Sequence, residues 1–388
     1  MTGTDFLALS PIIVLSVGAS ILLLQIAFFR NLKLTTGITL ITFLACLFFL
    51  FYIVKLNHQT TPLLLVDPLS TFFSIVFVLC AGVTTFISYE YLKNRPGRND
   101  EFFLLVVLAT MGSIVLSYAT HLASFILGLE LMGIAIYGLI AYPHEDDMSL
   151  EAAIKYLVLS GASSAALLFG FALLYAITGS LFFPDLLSGL ASPEVAVGPK
   201  SPYWARQLIL LGSALILAGI SFKLSLAPFH MWTPDVYEGS PTLVTALFAI
   251  APKVAAISLM MRLTYGAFGG IADQWSQVLI ALSIASMVIG ALGAIMQSDI
   301  KRMMAYSSIS HMGYALAGLA AGSPDGATGV MIYMTGYVFM GAGTFSIILL
   351  MRRDQAEATR IIDLRGLSST HPMLALGLLV MMFSMAGI

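Results

Sequence analysis

The stretch Ile220-Ser221-Phe222-Lys223-Leu224-Ser225-Leu226-Ala227-Pro228-Phe229-His230-Met231-Trp232-Thr233-Pro234-Asp235-Val236-Tyr237-Glu238-Gly239-Ser240-Pro241-Thr242 decides how the rest of the chain is read. It closes an apolar run that opens after Gln207, yet it carries a lysine, a histidine, two carboxylates and three prolines before the next apolar run begins. A charged side chain at the centre of a bilayer costs about 2.5 to 3.5 kcal/mol on insertion scales, so a lysine there marks a functional candidate. Pro228 lacks a backbone donor and disfavours helix at Ala227, which puts Lys223 beside an expected helix break. Broken helices survive at membrane depth where they line a water-filled cavity or are buried in protein. The competing reading is a snorkelling lysine. Counting about 1.5 Å per residue from Gln207 places Lys223 about 24 Å along its helix, near the far interface if the span stops at Pro228.

Working outward, 59% of the 388 residues are hydrophobic and 10% charged, far below the roughly 25% charged residues of a soluble domain. This is the composition of an all-α polytopic membrane protein. A formal net charge of -2 and the lack of a long basic run give no reason to expect nucleic acid. Cys46 and Cys80 lie in separate apolar runs and make no CxxC pair, so neither a metal cluster nor a disulfide framework is indicated. The N-terminus has no basic region or cleavage site ahead of its first apolar run, which reads as a retained helix.

Apolar runs long enough to span the hydrocarbon cover residues 6–29, 34–54, 69–89, 102–118, 122–142 and 152–178. After a Pro/Gly/Ser-rich stretch at 184–202 they resume at 208–226, 243–263, 278–297, 303–321 and 330–351, and a last run begins at 373. The expectation is eleven full spans and the start of a twelfth. Lysines and arginines bias orientation. With the N-terminus outside, Arg30, Lys33, Lys93, Arg95, Arg98, Lys301, Arg302, Arg352, Arg353, Arg360 and Arg365 fall in cytoplasmic loops, against Lys55, Lys200, Arg206 and Arg262 opposite. The N-terminus is therefore expected to be periplasmic.

Lys155, Lys223 and Lys253 are left inside spans, and so is Glu130. Glu130 lies about 12 Å into its helix, and Lys253, next to Pro252, about 18 Å past Pro241, so both are expected near mid-membrane. Lys155 is shallower, in a helix expected to be capped by Ser149. Its simpler role is an interfacial snorkel or an i,i+4 partner of Glu151. Met132-Gly133-Ile134-Ala135-Ile136-Tyr137-Gly138-Leu139 matches Met312-Gly313-Tyr314-Ala315-Leu316-Ala317-Gly318-Leu319 at five of eight positions, at an offset of 180 residues and five spans. An odd number of spans places two copies in opposite orientations, as in inverted-repeat transporters.

A row of intramembrane titratable groups suits proton relay, because removal from water disfavours a charge and a nearby opposite charge restores it. Ser221, Ser225, His230 and His311 are candidates to bridge such groups, histidine being suited by titrating near neutral pH. Either histidine could instead be a satisfied structural residue. Haem and iron–sulfur ligand sets cannot be assembled from six scattered histidines and two cysteines. The glycines at 266–270 sit outside any strand–helix unit, so no nucleotide fingerprint is present.

The motif Phe222-Lys223 followed by Pro228 to Thr242 resembles the signature of the antiporter-like membrane subunits of proton-pumping NADH:quinone oxidoreductase, respiratory complex I, which are similar to subunits of multisubunit Na+/H+ antiporters. Val236-Tyr237-Glu238-Gly239, with Leu150-Glu151-Ala152-Ala153-Ile154-Lys155-Tyr156 and the run from Ser298 to Tyr314, is most similar to the bacterial subunit N branch. The resemblance implies antiporter-like inverted five-helix repeats with broken helices: three helices in 1–100, a first repeat in 101–265 broken near 223–241, and a second repeat in 266–388. It implies proton translocation in the bacterial inner membrane, with Glu130, Lys223 and Lys253 matching the family's key residues and Lys155 a sixth-helix lysine of lesser weight; His230, His311 and Lys155 are taken as auxiliary. It further implies no bound cofactor in this chain, with NADH, FMN, iron–sulfur clusters and quinone in partner subunits, beside neighbouring antiporter-like and quinone-site subunits. In the family pattern, Ser384 to Ile388 is followed by a proline-containing break and another key lysine, so the chain is expected to be C-terminally incomplete. The alternatives are a Na+/H+ antiporter subunit and a non-conducting scaffold whose buried charges set helix register.

Overall fold

The computed structural model describes residues 2–93, 99–143, 146–191, 202–353, 356–357 and 359–387. A short helix α1 (Gly3–Ala8) precedes α2 (Ser10–Phe28) and α3 (Leu32–Tyr52). A hairpin of β1 (His58–Thr61) and β2 (Leu64–Val66) leads to α4 (Pro68–Lys93), α5 (Glu101–Tyr118), α6 (Leu122–Ile140) and α7 (Asp147–Thr178). The surface helix α8 (Phe183–Ala191) precedes α9 (Tyr203–Lys223), α10 (Trp232–Gly239) and α11 (Thr242–Arg262). Then come α12 (Ala272–Ile295), α13 (Ile300–Ala320), α14 (Pro324–Leu350), the two-residue strands β3 (Arg352–Arg353) and β4 (Ala356–Glu357), α15 (Leu367–Thr370) and α16 (Pro372–Ala386).

Among the described residues eleven helices reach 18 residues, which agrees with the expected spans, and α16 begins a twelfth. Ten of the eleven are apolar enough to cross a membrane by length and composition. The other, α13, carries Lys301, Arg302, Ser307, Ser308, Ser310 and His311 and reads as a span only because neighbouring helices cover it. The helix α11 is the hub, buried along almost its whole length against helices on every side. Its residue Lys253 is 1% exposed.

Backbone proximity sets which helices pair. Where α5 meets α6, a Cβ on Gly112 would lie 2.5 Å from the Met132 amide nitrogen. Where α12 meets α13, a Cβ on Gly290 would lie 2.5 Å from the Ser310 amide nitrogen. Both antiparallel pairs thus close on a glycine.

Several local expectations change. The N-cap of α7 is Asp146, whose carboxylate accepts from the Met148 amide at 3.1 Å. Ser149 instead donates to Asp146 at 3.0 Å and to the Gly239 carbonyl at 2.9 Å. The helix α9 stops at Lys223, three residues earlier than its apolar run. The first eight residues of the Pro/Gly/Ser-rich stretch belong to α8. Two cations assigned to loops turn into the protein, Lys301 buried and Arg262 nearly so. Arg262 donates to Asp67 at 2.8 Å and to the Ser117 carbonyl at 2.6 Å, joining α11 to the start of α4 and the end of α5. Lys301, 5% exposed, donates to the Ser240 carbonyl at 3.0 Å. Arg95, Arg98, Lys200 and Ile388 lie outside the described residues, as do the side chains of Arg352 and Arg353.

Candidate functional site: two buried lysines on a broken helix

Lys223 is the last residue of α9, where the negative end of the helix dipole favours a cation. The chain then turns: Leu226 N–H reaches back to the Ser221 carbonyl at 2.8 Å, Ser225 takes a positive φ of 60°, and Ala227 N–H donates to Ser286 Oγ at 2.9 Å. The break is closed by Trp232, the first residue of α10, whose indole N–H donates to the Phe222 carbonyl at 3.1 Å. At 4% exposure Lys223 does not snorkel. Its Nζ donates to Ser160 Oγ at 2.5 Å.

Ser160 also accepts from the Tyr137 hydroxyl at 2.5 Å. One helical turn along α7, Ser164 donates to Glu130 Oε1 at 2.7 Å. Glu130 and Lys223 thus each hold a serine on one face of α7, one helical turn apart, and no ion pair within 4 Å joins them among the described residues. The hydroxyls expected to bridge are placed differently. Ser225 Oγ is buried without a partner among the described residues, and Ser221 lines an apolar groove of about 220 Å³ between α9 and α12.

Lys253 lies deeper. Its Nζ donates to Ser308 Oγ on α13 and stands 5.1 Å from the Tyr237 ring centroid. Ser308 is 2.8 Å from the Tyr337 hydroxyl, which donates to the Ala249 carbonyl at 3.1 Å. Since the single Tyr337 proton goes to Ala249, Ser308 is the donor to Tyr337, and the donors run in one direction from α11 through α13 and α14 and back to α11. Aromatic rings fill the space between the two lysine sites. Tyr156 stacks on Trp232 at 4.7 Å, Trp232 on Phe222 at 5.2 Å, and Phe248 meets Tyr156 at 5.4 Å and Tyr237 at 5.0 Å.

The remaining candidates separate. His311 Nδ1 is 2.5 Å from the Tyr333 hydroxyl, and its ring packs on Tyr337, within the Lys253 cluster. His230 is buried in the break, and its Nδ1 has no partner among the described residues. Lys155 stays near the surface, 2.7 Å from Glu151 and 3.4 Å from Asp235. Sequence reasoning missed Ser160, Ser164, Tyr137, Tyr237 and Tyr337 and gave Ser308 no role. The i,i+4 spacing of Ser160 and Ser164 in the apolar middle of α7 was the available signal for the first two.

Residues 119–388 match the family described as NADH:quinone oxidoreductase/Mrp antiporter, transmembrane. The chain is 39% identical over 390 residues to NADH-quinone oxidoreductase subunit N of Parvibaculum lavamentivorans, covering all of this chain and 79% of the relative. This chain belongs to the subunit N family. The subunit N of Rhodospirillum rubrum is 45% identical over 322 residues, which cover 83% of this chain and 64% of that relative. Among solved structures, respiratory complex I from Thermus thermophilus with bound aureothin contains a chain 31% identical, with a TM-score of 0.82, covering 97% of this chain and 78% of that one. An Mrp complex from Dietzia contains a chain of the same fold at 23% identity, TM-score 0.85, covering all of this chain and 72% of that one. The subunit N family accounts for the all-helical, polytopic architecture with its broken helix between α9 and α10.

Proposed function

We propose that this chain translocates protons as a membrane subunit of NADH:quinone oxidoreductase, with Glu130 and Lys223 as the coupled input pair and Lys253 as the central relay. His230, His311 and Lys155 are auxiliary. The first repeat occupies 101–265 and the second 266–388. The chain sits in the bacterial inner membrane with a periplasmic N-terminus. Moving Lys301 and Arg262 out of the loops leaves ten basic residues against three, so the charge argument for that orientation stands. NADH, FMN, iron–sulfur clusters and quinone belong to partner subunits.

One observation carries the reading. Lys223 and Lys253 are buried with hydroxyls for partners, and no carboxylate lies within 4 Å of either among the described residues. A carboxylate partner would hold a buried ammonium charged, whereas a hydroxyl serves both forms, accepting from the ammonium and donating to the neutral amine. Glu130, one serine further along, biases Lys223 without locking it. Moving a charge against 100 mV costs about 2.3 kcal/mol, which redox chemistry in partner subunits supplies.

Lys223→Ala is expected to abolish the contribution of this subunit to proton pumping while the complex still assembles. Proton uptake per NADH oxidised in inverted membrane vesicles measures it, and an unchanged yield overturns the assignment.

A further inference from the structure

Lys301 and Arg302 occupy the first turn of α13, the positive end of that helix, where cations are disfavoured. Asp299, the N-cap, accepts from the Arg302 backbone amide at 2.9 Å and leaves the guanidinium free to reach elsewhere. It reaches α10, where one guanidinium nitrogen of Arg302 lies 2.9 Å from Asp235 and 2.7 Å from Glu238. The Arg302 Nε donates to Gln297 at 3.2 Å. Beside it, the Lys301 ammonium takes the carbonyl of Ser240, the C-cap of α10, at the negative end of that helix. Lys155, on α7, takes the other oxygen of Asp235 at 3.4 Å and also pairs with Glu151. Charges misplaced on their own helix are thus matched by another.

The helix α10 is only eight residues long, about 12 Å, and it touches both buried lysine sites. At its start Trp232 bonds the Phe222 carbonyl and stacks on Tyr156, next to Lys223. In its second turn Tyr237 lies under the Lys253 ammonium, 3.5 Å from Ser308. A rigid strut gripped at its far end transmits the position of the grip to both contacts. We propose that Arg302, seconded by Lys301, is a positioning residue: a charged latch by which α13, in the second repeat, sets α10 and through it the geometry of Lys223 and Lys253. The inference rests on the proton-relay reading above. It also gives Lys155 a place, as the α7 contact to the same carboxylate.

The test uses the assembled complex in inverted membrane vesicles, measuring the amount of complex, NADH oxidation and proton uptake per NADH. Arg302→Gln is expected to leave assembly near normal and lower this subunit's share of the proton yield about fivefold, the share being what Lys223→Ala removes. Combining Arg302→Glu with Glu238→Arg re-forms one ion pair with reversed polarity and is expected to recover most of the yield. An assembled Arg302→Gln complex with full yield overturns the latch, and so does a double variant no better than Arg302→Glu alone. If Arg302→Gln fails to assemble, Asp235→Asn and Glu238→Gln, singly and together, take its place, and full yield in all three overturns it. Lys223→Ala, run alongside, separates the two ideas: full yield there removes the relay reading itself, whatever Arg302 does.

Discussion

At the scale of single residues, the proposed relay turns on which partner a buried lysine has. Ser160 accepts from both Lys223 and Tyr137, so Ser160→Ala strands the buried Lys223 donor, at about 1 to 3 kcal/mol, and the half-buried Tyr137 hydroxyl. It also removes the hydroxyl that stands one turn from Ser164, the partner of Glu130. Ser163, three residues along the same helix, donates only to the Gly219 carbonyl at 2.9 Å and ties α7 to α9. The two alanine variants should therefore differ in kind. Ser160→Ala is expected to lower proton uptake per NADH severalfold, while Ser163→Ala costs about 1 kcal/mol of stability and leaves that ratio intact. Equal proton yields in the two variants would contradict the assignment of Ser160.

At the scale of helices, a small number of backbone contacts decides the pairing. The Gly112 Cα approaches the α6 backbone so closely that an added methyl meets main chain, which cannot rotate away as a side chain can. Gly112→Ala must push α5 from α6, and overpacking of this sort costs about 1 to 3 kcal/mol. The expected outcome is less assembled complex in the membrane, with near-normal proton yield from what does assemble, read by native gel and vesicle assay. A full complement of complex at normal thermal stability would show that the helices can slide apart without cost. The break between α9 and α10 is the opposite device, a place where the backbone forgoes helix so that Lys223, Trp232 and Ser225 can face inward.

At the scale of the molecule, long-range polar ties hold the helix layers at each end. At one end Arg262 joins α11 to α4 and α5, and Asp5 on α1 accepts from His58 on the hairpin at 2.7 Å. The His58 bond, helped by the Thr2 backbone amide, holds the Asp5 carboxyl down at about 2, against an ordinary 3.8. A carboxyl depressed in the folded state stabilises it above the ordinary value and loses that contribution as the pH falls through the folded value. The tie between α1 and the hairpin is therefore expected to be intact above pH 4 and to loosen toward pH 2. Amide exchange of residues 3–8 follows it. Protection that is unchanged over that window, or that falls equally in His58→Ala, would show that the tie contributes nothing.

Class, the number of spans, the helix break and the family were legible in the sequence, because each depends on local composition or on a contiguous motif. Length and apolarity determine a span whatever its neighbours are, and Pro228 disfavours helix at the residue before it in any surroundings. Lys223 and Lys253 could be singled out for the same reason, since a lysine in an apolar run is costly wherever it lands. Their partners could not, because Ser160, Ser308 and Tyr337 come from other helices and meet the lysines only once glycine contacts have set helix spacing and rotation. Nor could the burial of Arg262 and Lys301, which stand at helix ends that composition alone assigns to water. Only the packed structure covers those ends, and it does so with a carboxylate in one case and a helix C-terminus in the other.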